Sequence, residues 1–186
     1  MILAPRLLTL APILVLLLAA PLSAQESTGN RRRGLWGGVG AGLGLLGCLE
    51  SGCSHGDWGF TGHVQLGGTV SPSLRLGGAT YGLARSLDDE KFEIGTLTFI
   101  AQWHPGAGDF FLLGGAGLAY VEVGGPAFGF NFSGTDLGAG FVTSAGYDIS
   151  INRYGWFALT PFASWIVTTL GPTFDFFQVG VGLTIH

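Results

Sequence analysis

Charge is scarce in this chain: Lys and Arg number 8 and Asp and Glu 12, so charged residues make up 11% of the 186, against roughly a quarter in a typical soluble domain. A domain surface made from such a composition is hard to keep in water. Long apolar runs are missing too. Beyond residue 24 no stretch reaches the roughly 18 apolar residues that a membrane-crossing helix needs. Signs of catalysis are equally thin, since no His-Glu-x-x-His helix occurs and no Gly-x-Ser-x-Gly segment sits where a strand would turn into a helix. No Ser, His and acid are brought together by the pattern of extended segments, so the chain reads as a non-enzyme with no cofactor. The net charge of -4 is too mild to name a partner.

What is present begins with an export signal. Arg6 is the only charge before residue 25, apolar residues run through Leu7-Leu8 and 13–18, and Leu22-Ser23-Ala24 supplies small residues for a peptidase. The alternative, an uncleaved anchor, suits the segment poorly because Pro12 interrupts a short apolar core. No Cys follows the cleavage point, so a lipoprotein anchor is unsupported. Residues 1–24 are thus expected to be a signal peptide and 25–33 a flexible polar lead-in. The run Arg31-Arg32-Arg33 is too short, in an exported protein, to argue for nucleic acid. Export, apolar composition and no spanning helix leave a closed β-barrel, the other architecture that satisfies every backbone hydrogen bond in lipid.

Residues 34–186 carry that barrel as period-two alternation. Leu35, Val39, Ala41, Leu43 and Leu45 oppose Gly38, Gly40, Gly42 and Gly44; Trp58, Phe60, Val64 and Leu66 oppose Thr61, His63, Gln65 and Thr69. A third stretch starts at Leu74 with Arg75 inward and runs to about Arg85, and a fourth sets Leu97, Phe99, Ala101 and Trp103 against Thr98, Gln102 and His104. A fifth lies within 110–123, its register open. Leu137, Ala139, Phe141, Ala145, Tyr147 and Ile149 mark the sixth, opposite Gly138, Gly140, Ser144, Gly146 and Asp148. The seventh, 156–167, contains Pro161, tolerated only at a bulge or a weakly paired position. The eighth turns Phe177, Val179, Val181, Leu183 and Ile185 outward and Gln178, Gly180, Gly182 and Thr184 inward. The expected fold is all-β: an eight-stranded antiparallel up-and-down transmembrane barrel.

Connection lengths alternate in support. Residues 71–73, 105–109 and 151–155 are short; 47–56, 86–92 and 124–135 are longer, with 168–173 intermediate, which fits short periplasmic turns and longer outer loops. Trp36, Trp103, Tyr147, Tyr154 and Trp156 are expected near the periplasmic ends, and Trp58 and Trp165 toward the outer ends, where rings with a polar tip favour the membrane interfaces. A soluble barrel would need a charged outer face, which is absent here.

The segment Gln178-x-Gly180-x-x-Leu183-x-Ile185 resembles the β-signal read by the outer-membrane assembly machinery, without the usual final aromatic and with His186 following. Together with the strand pattern, residues from about 33 onward resemble the barrel domain of the OmpA/OmpX-type families. That resemblance implies a cell outer-membrane location and, as partners, outer-membrane lipid and the assembly machinery. It specifies no activity. The chain is read as a porin-like monomer in architecture, with a structural or surface-interaction role.

Several residues invite sharper readings. Cys48 and Cys53 bracket a short loop, and in an oxidising compartment they most simply form a local disulfide. A metal site of Cys48, Cys53, His55 and Asp57 has suitable ligand types, but the spacing matches no common zinc pattern. A thiol label should therefore react with the exported protein only after reduction; labelling without reductant would remove the bridge. Gly42-Leu-Gly44-Leu-Leu-Gly47 has dinucleotide-fingerprint spacing but no following helix, and is better read as glycine lining the inner faces of the first and last strands, leaving room for bulky inward residues from the opposite wall. Asn131-Phe132-Ser133 has the form of a glycosylation sequon of little weight in a bacterial protein. His63, Gln65, Arg75, Gln102, His104 and Asp148 are the candidate inward polar residues, read as a hydrogen-bonded, ion-paired plug, with a small conduit or ligand pocket as the alternative. A lipid A-modifying enzyme and a lateral path for small apolar molecules past Pro161 are the remaining alternatives.

Overall fold

A computed structural model describes residues 34–48, 57–87, 90–123, 136–152, 155–170 and 173–186. Within them the chain forms β1 (Leu35–Cys48), β2 (Asp57–Ser71), β3 (Leu74–Leu87), β4 (Glu90–Trp103), β5 (Phe110–Val123), β6 (Asp136–Tyr147), β7 (Phe157–Thr169) and β8 (Thr173–Ile185). The two-residue piece Ile149–Ser150 continues β6 past Asp148. Each strand pairs antiparallel with its sequence neighbour, and β1 pairs with β8. The sheet is closed, so no strand edge is left for lipid to meet.

The registers fix its shape. From Gly38, the directly opposed residues run Gln65, Ala79, Thr98, Gly117, Gly140, Thr168 and Phe174, and arrive at Cys48, ten residues along the strand of departure. That stagger tilts the strands by roughly 35–45° from the barrel axis. With 12 to 15 residues each, β1 to β8 exceed the roughly 9–11 residues that a tilted strand needs to cross hydrocarbon.

Alternation sorts the side chains as the sequence implies. Outward lie Val39, Leu43, Phe60, Val64, Leu66, Leu97, Phe99, Leu112, Leu118, Phe141, Leu159, Val179, Val181 and Leu183, all exposed. Such a face is stable against hydrocarbon and would be a severe liability in water. Outward aromatics collect at both margins, with Trp103, Phe110, Tyr147, Trp156 and Phe157 toward one end and Trp58, Phe60, Phe141, Trp165 and Phe177 toward the other. Trp36 departs from the expected interfacial belt. It is 3% exposed and lies inside the barrel, because strict alternation from Leu35 turns it inward; the Arg75 guanidinium carbon stands 5.4 Å from its ring centroid.

The open register of β5 is now fixed. Phe111, Leu113 and Ala119 are buried inside while Leu112 and Leu118 face out. Both faces are apolar in this strand because the lumen wall beside it is itself apolar, with Ile94, Ile100 and Val142 as neighbours. A polarity contrast was therefore absent from the sequence.

The connections alternate less than expected. Pro72-Ser73 and a 3-10 turn at Pro105–Ala107, with Gly106 at φ 61, close one end. At the other, β3 and β4 stay paired up to Leu87 and Glu90, and β7 and β8 up to Thr169 and Thr173. Only the segments 49–56 and 124–135 are long there. The shorter pair continue as hairpins, which is why composition alone made residues 86–92 look like loop.

Pro161 sits where the β6–β7 ladder is interrupted. The pairs Gly146–Phe162 and Ile149–Leu159 flank it, and the β6–β7 register skips Tyr147 and Asp148 on one side and Thr160 and Pro161 on the other. On the β8 side the ladder continues through Pro161 and Val181. The missing N–H therefore falls at the break. Replacing Pro161 by Ala should change unfolding stability by less than about 1 kcal/mol and leave vesicle uptake of small apolar solutes unchanged; a clear change in uptake would make this gap a functional opening.

Candidate functional site: the polar lumen

The lumen is polar toward the short-turn end and apolar toward the long-loop end. Alternation alone produces this, because the inward rows reach Arg75, His104, Asp148, Thr184 and His186 at one end and pass through Leu83, Ile94, Ile166, Leu170 and Phe176 toward the other, with Thr168 a buried polar residue among them. The six polar candidates all point inward, but they fall into three groups and not one site.

The first group is ionic. Asp148 lies in the short gap between β6 and its extension, 2% exposed, with Arg75 Nη1 at 3.6 Å from Oδ2. Arg75 Nη2 lies 2.7 Å from His186 Nδ1. A guanidinium only donates, so Nδ1 must accept. The proton of neutral His186 is then on Nε2, which faces Asp148 Oδ2 at 3.8 Å. Thr160 Oγ1 donates to Asp148 Oδ1 at 3.0 Å, which leaves the Thr184 hydroxyl to donate to Thr160 at 2.9 Å. Trp36 covers the guanidinium. Charges this deeply buried persist only when paired and hydrogen-bonded.

The second group anchors a turn. His104 Nδ1 lies 3.2 Å from the Gly108 carbonyl and must donate to it. Its Nε2 then accepts from Gln102 Nε2 at 3.2 Å, which orients the Gln102 amide. His104 thus holds the Pro105–Ala107 turn against the lumen floor, with Phe111 beside it.

The third group crosses the middle. Gln65 Nε2 donates to the Tyr81 hydroxyl at 3.1 Å. The His63 ring packs between Tyr81 and Phe162, centroids 5.5 and 4.5 Å away. His63 and Phe162 both overlie Gly40, and Phe162 also overlies Gly180. The glycine trough on β1 and β8 therefore makes room for rings from the strands flanking it, β2 and β7, and not from the opposite wall as the pattern had suggested.

Sequence reasoning passed over Tyr81 and Thr160, although each falls on the inward row of its strand, and gave Thr184 and His186 no part in the ionic group. Of the assembly-signal residues, Gln178 and Gly180 face inward and Leu183 and Ile185 face outward. Cys48 ends β1; its side chain, Cys53 and His55 lie outside the described residues, as do Asn131 and the segments 1–33 and 124–135. Gly52-Cys53-Ser54-His55-Gly56 has nucleophile-elbow spacing that went unremarked. An elbow needs a strand-to-helix turn, and this segment stands between β1 and β2. Among the described residues no group of three or more His, Cys, Asp or Glu could hold a metal ion.

No protein-family model matches the chain, and no curated protein matches it in sequence. Solved structures do. The attachment invasion locus protein Ail of Yersinia pestis is similar at 13% identity and a TM-score of 0.57, over 83% of this chain and 99% of that one. Neisserial surface protein A is similar at 14% identity and a TM-score of 0.57, over 81% and 96%. The chain has the fold of the OmpA/OmpX-type eight-stranded outer-membrane β-barrels.

Proposed function

We propose that this chain resides in the cell outer membrane as a monomeric barrel with a closed lumen, and that its role is structural or one of surface interaction through the long-loop end. The observation that carries the closed lumen is the buried Arg75–Asp148–His186 layer, with residue exposures of 1% and 2% for the central pair. Above it the rings of His63, Tyr81 and Phe162 meet over the glycine trough. An eight-stranded interior is only wide enough for side chains to fill. The exposed apolar belt supports a lipid partner, and insertion by the outer-membrane assembly machinery follows from the Gln178, Gly180, Leu183 and Ile185 pattern. The two similar structures are an attachment protein and a surface protein by name, in keeping with an interaction role.

Planar-bilayer recordings of the refolded protein should show no reproducible, sizeable conductance steps. Steady steps in the wild type would overturn the closed lumen. A lipid-modifying enzyme is the weaker reading, because His63 and His104 both point into the lumen and neither reaches the lipid-facing surface. Lipid A incubated with the protein should keep its mass.

A further inference from the structure

A fourth polar set lies above the His63 ring and takes no part in the three groups. Gln178 is fully buried, and neither its amide nitrogen nor its oxygen has a hydrogen-bond partner. Thr61, 6% exposed, has an unpartnered Oγ1. The two residues flank the same bare stretch of β1, for Gln178 is paired with Gly44 and Thr61 with Gly42. The Thr61 methyl overlies Gly44, so both side chains stand over the same stretch of β1. His63 Nδ1, also unpartnered, is the next inward group on β2.

Buried amides and hydroxyls without partners are rare because their desolvation is uncompensated. Here an apolar side chain of the same shape would serve the packing better, unless something binds the amide. The set offers both donors and acceptors and no net charge, which suits water and not an ion. It is bounded on the short-turn side by the His63 ring, and on the long-loop side by Leu83, opposite Thr61, and Phe176, the inward residue before Gln178. We infer that this level of the lumen is a closed hydration site in which ordered water bonds the Gln178 amide and the Thr61 hydroxyl. The site deepens the closed-lumen reading without depending on its surface role.

Water-to-protein cross-relaxation at the Gln178 side-chain amide, measured by NMR on the refolded full barrel in nanodiscs, tests it. Long-lived water should appear at that amide in the wild type and weaken in Thr61→Val, which keeps the reporting amide; Gln178→Met combined with Thr61→Val removes both polar groups. The double variant should refold with an unfolding equilibrium within about tenfold of the wild type or shifted toward the folded state. No water at the wild-type amide, or water exchanging at the bulk rate, would overturn the site whether or not the variant folds. So would a double variant unfolded more than about tenfold further, since that would mean the amide bonds protein directly. Conductance steps bear on the closed lumen alone, so the two readings fail separately.

Discussion

Gly42→Ala and Gly180→Ala should each cost about 3 kcal/mol, the upper end of the usual range for overpacking, enough to impair refolding into a heat-modifiable barrel in detergent or lipid. These glycines face each other across the β1–β8 seam. A Cβ on Gly42 would run into the Val179 carbonyl and stand 2.8 Å from the Gly180 Cα, and a Cβ on Gly180 would run into the Ala41 carbonyl. The obstacle in each case is backbone, which cannot swing away as a side-chain tip can. Gly67 and Gly77 repeat the arrangement between β2 and β3 and should respond alike. The control is Gly78→Ala, whose Cβ would lie 3.8 Å from its nearest neighbour, the Thr98 carbonyl. That change should be neutral or slightly stabilising, because Ala loses less conformational freedom than Gly in a strand. Urea-dependent unfolding read by tryptophan fluorescence separates the two outcomes. Equal behaviour of Gly42→Ala and Gly78→Ala would refute the close-approach argument.

Asp148→Leu should destabilise the barrel by about 3–5 kcal/mol, the scale found when one partner of a buried ion pair is removed. The cost arises less from a lost attraction than from what remains: an Arg75 guanidinium 1% exposed with its carboxylate gone. Thr160 would also lose its acceptor. Removing both charges, in Arg75→Met with Asp148→Leu, should recover most of the loss, since a buried pair exchanged for apolar side chains is often nearly neutral. The double-mutant cycle reads the coupling directly. Additive losses would mean that Arg75 and Asp148 do not act together.

Much of this architecture was legible in the residues. The inward and outward rows of β1, β2, β3, β4, β6 and β8 follow from alternation, and Pro161 correctly announced a gap in a ladder. What failed had a common cause, a missing contrast between the faces. In β5 the pairs Phe110-Phe111 and Leu112-Leu113 give no polarity difference because this strand sends apolar side chains into the lumen even at its polar end, where Phe111 lies against His104. Trp36 looked interfacial because an indole suits a membrane boundary, yet the same indole suits a buried guanidinium. Asp148 and Arg75 were recognisable as inward, but their meeting is set by barrel closure, which joins strands far apart in the chain. The part His186 plays in the lumen was not legible because it lies past the last alternating residue.

The seam glycines also say something about how the barrel comes into being. Hairpins such as β2–β3 join neighbours through two residues, whereas Gly42 meets Gly180 only after nearly the entire domain has been threaded. Pairings of such long range are entropically late events. The bare backbone at that seam removes side-chain obstruction from a long-range encounter that can form only late on the route.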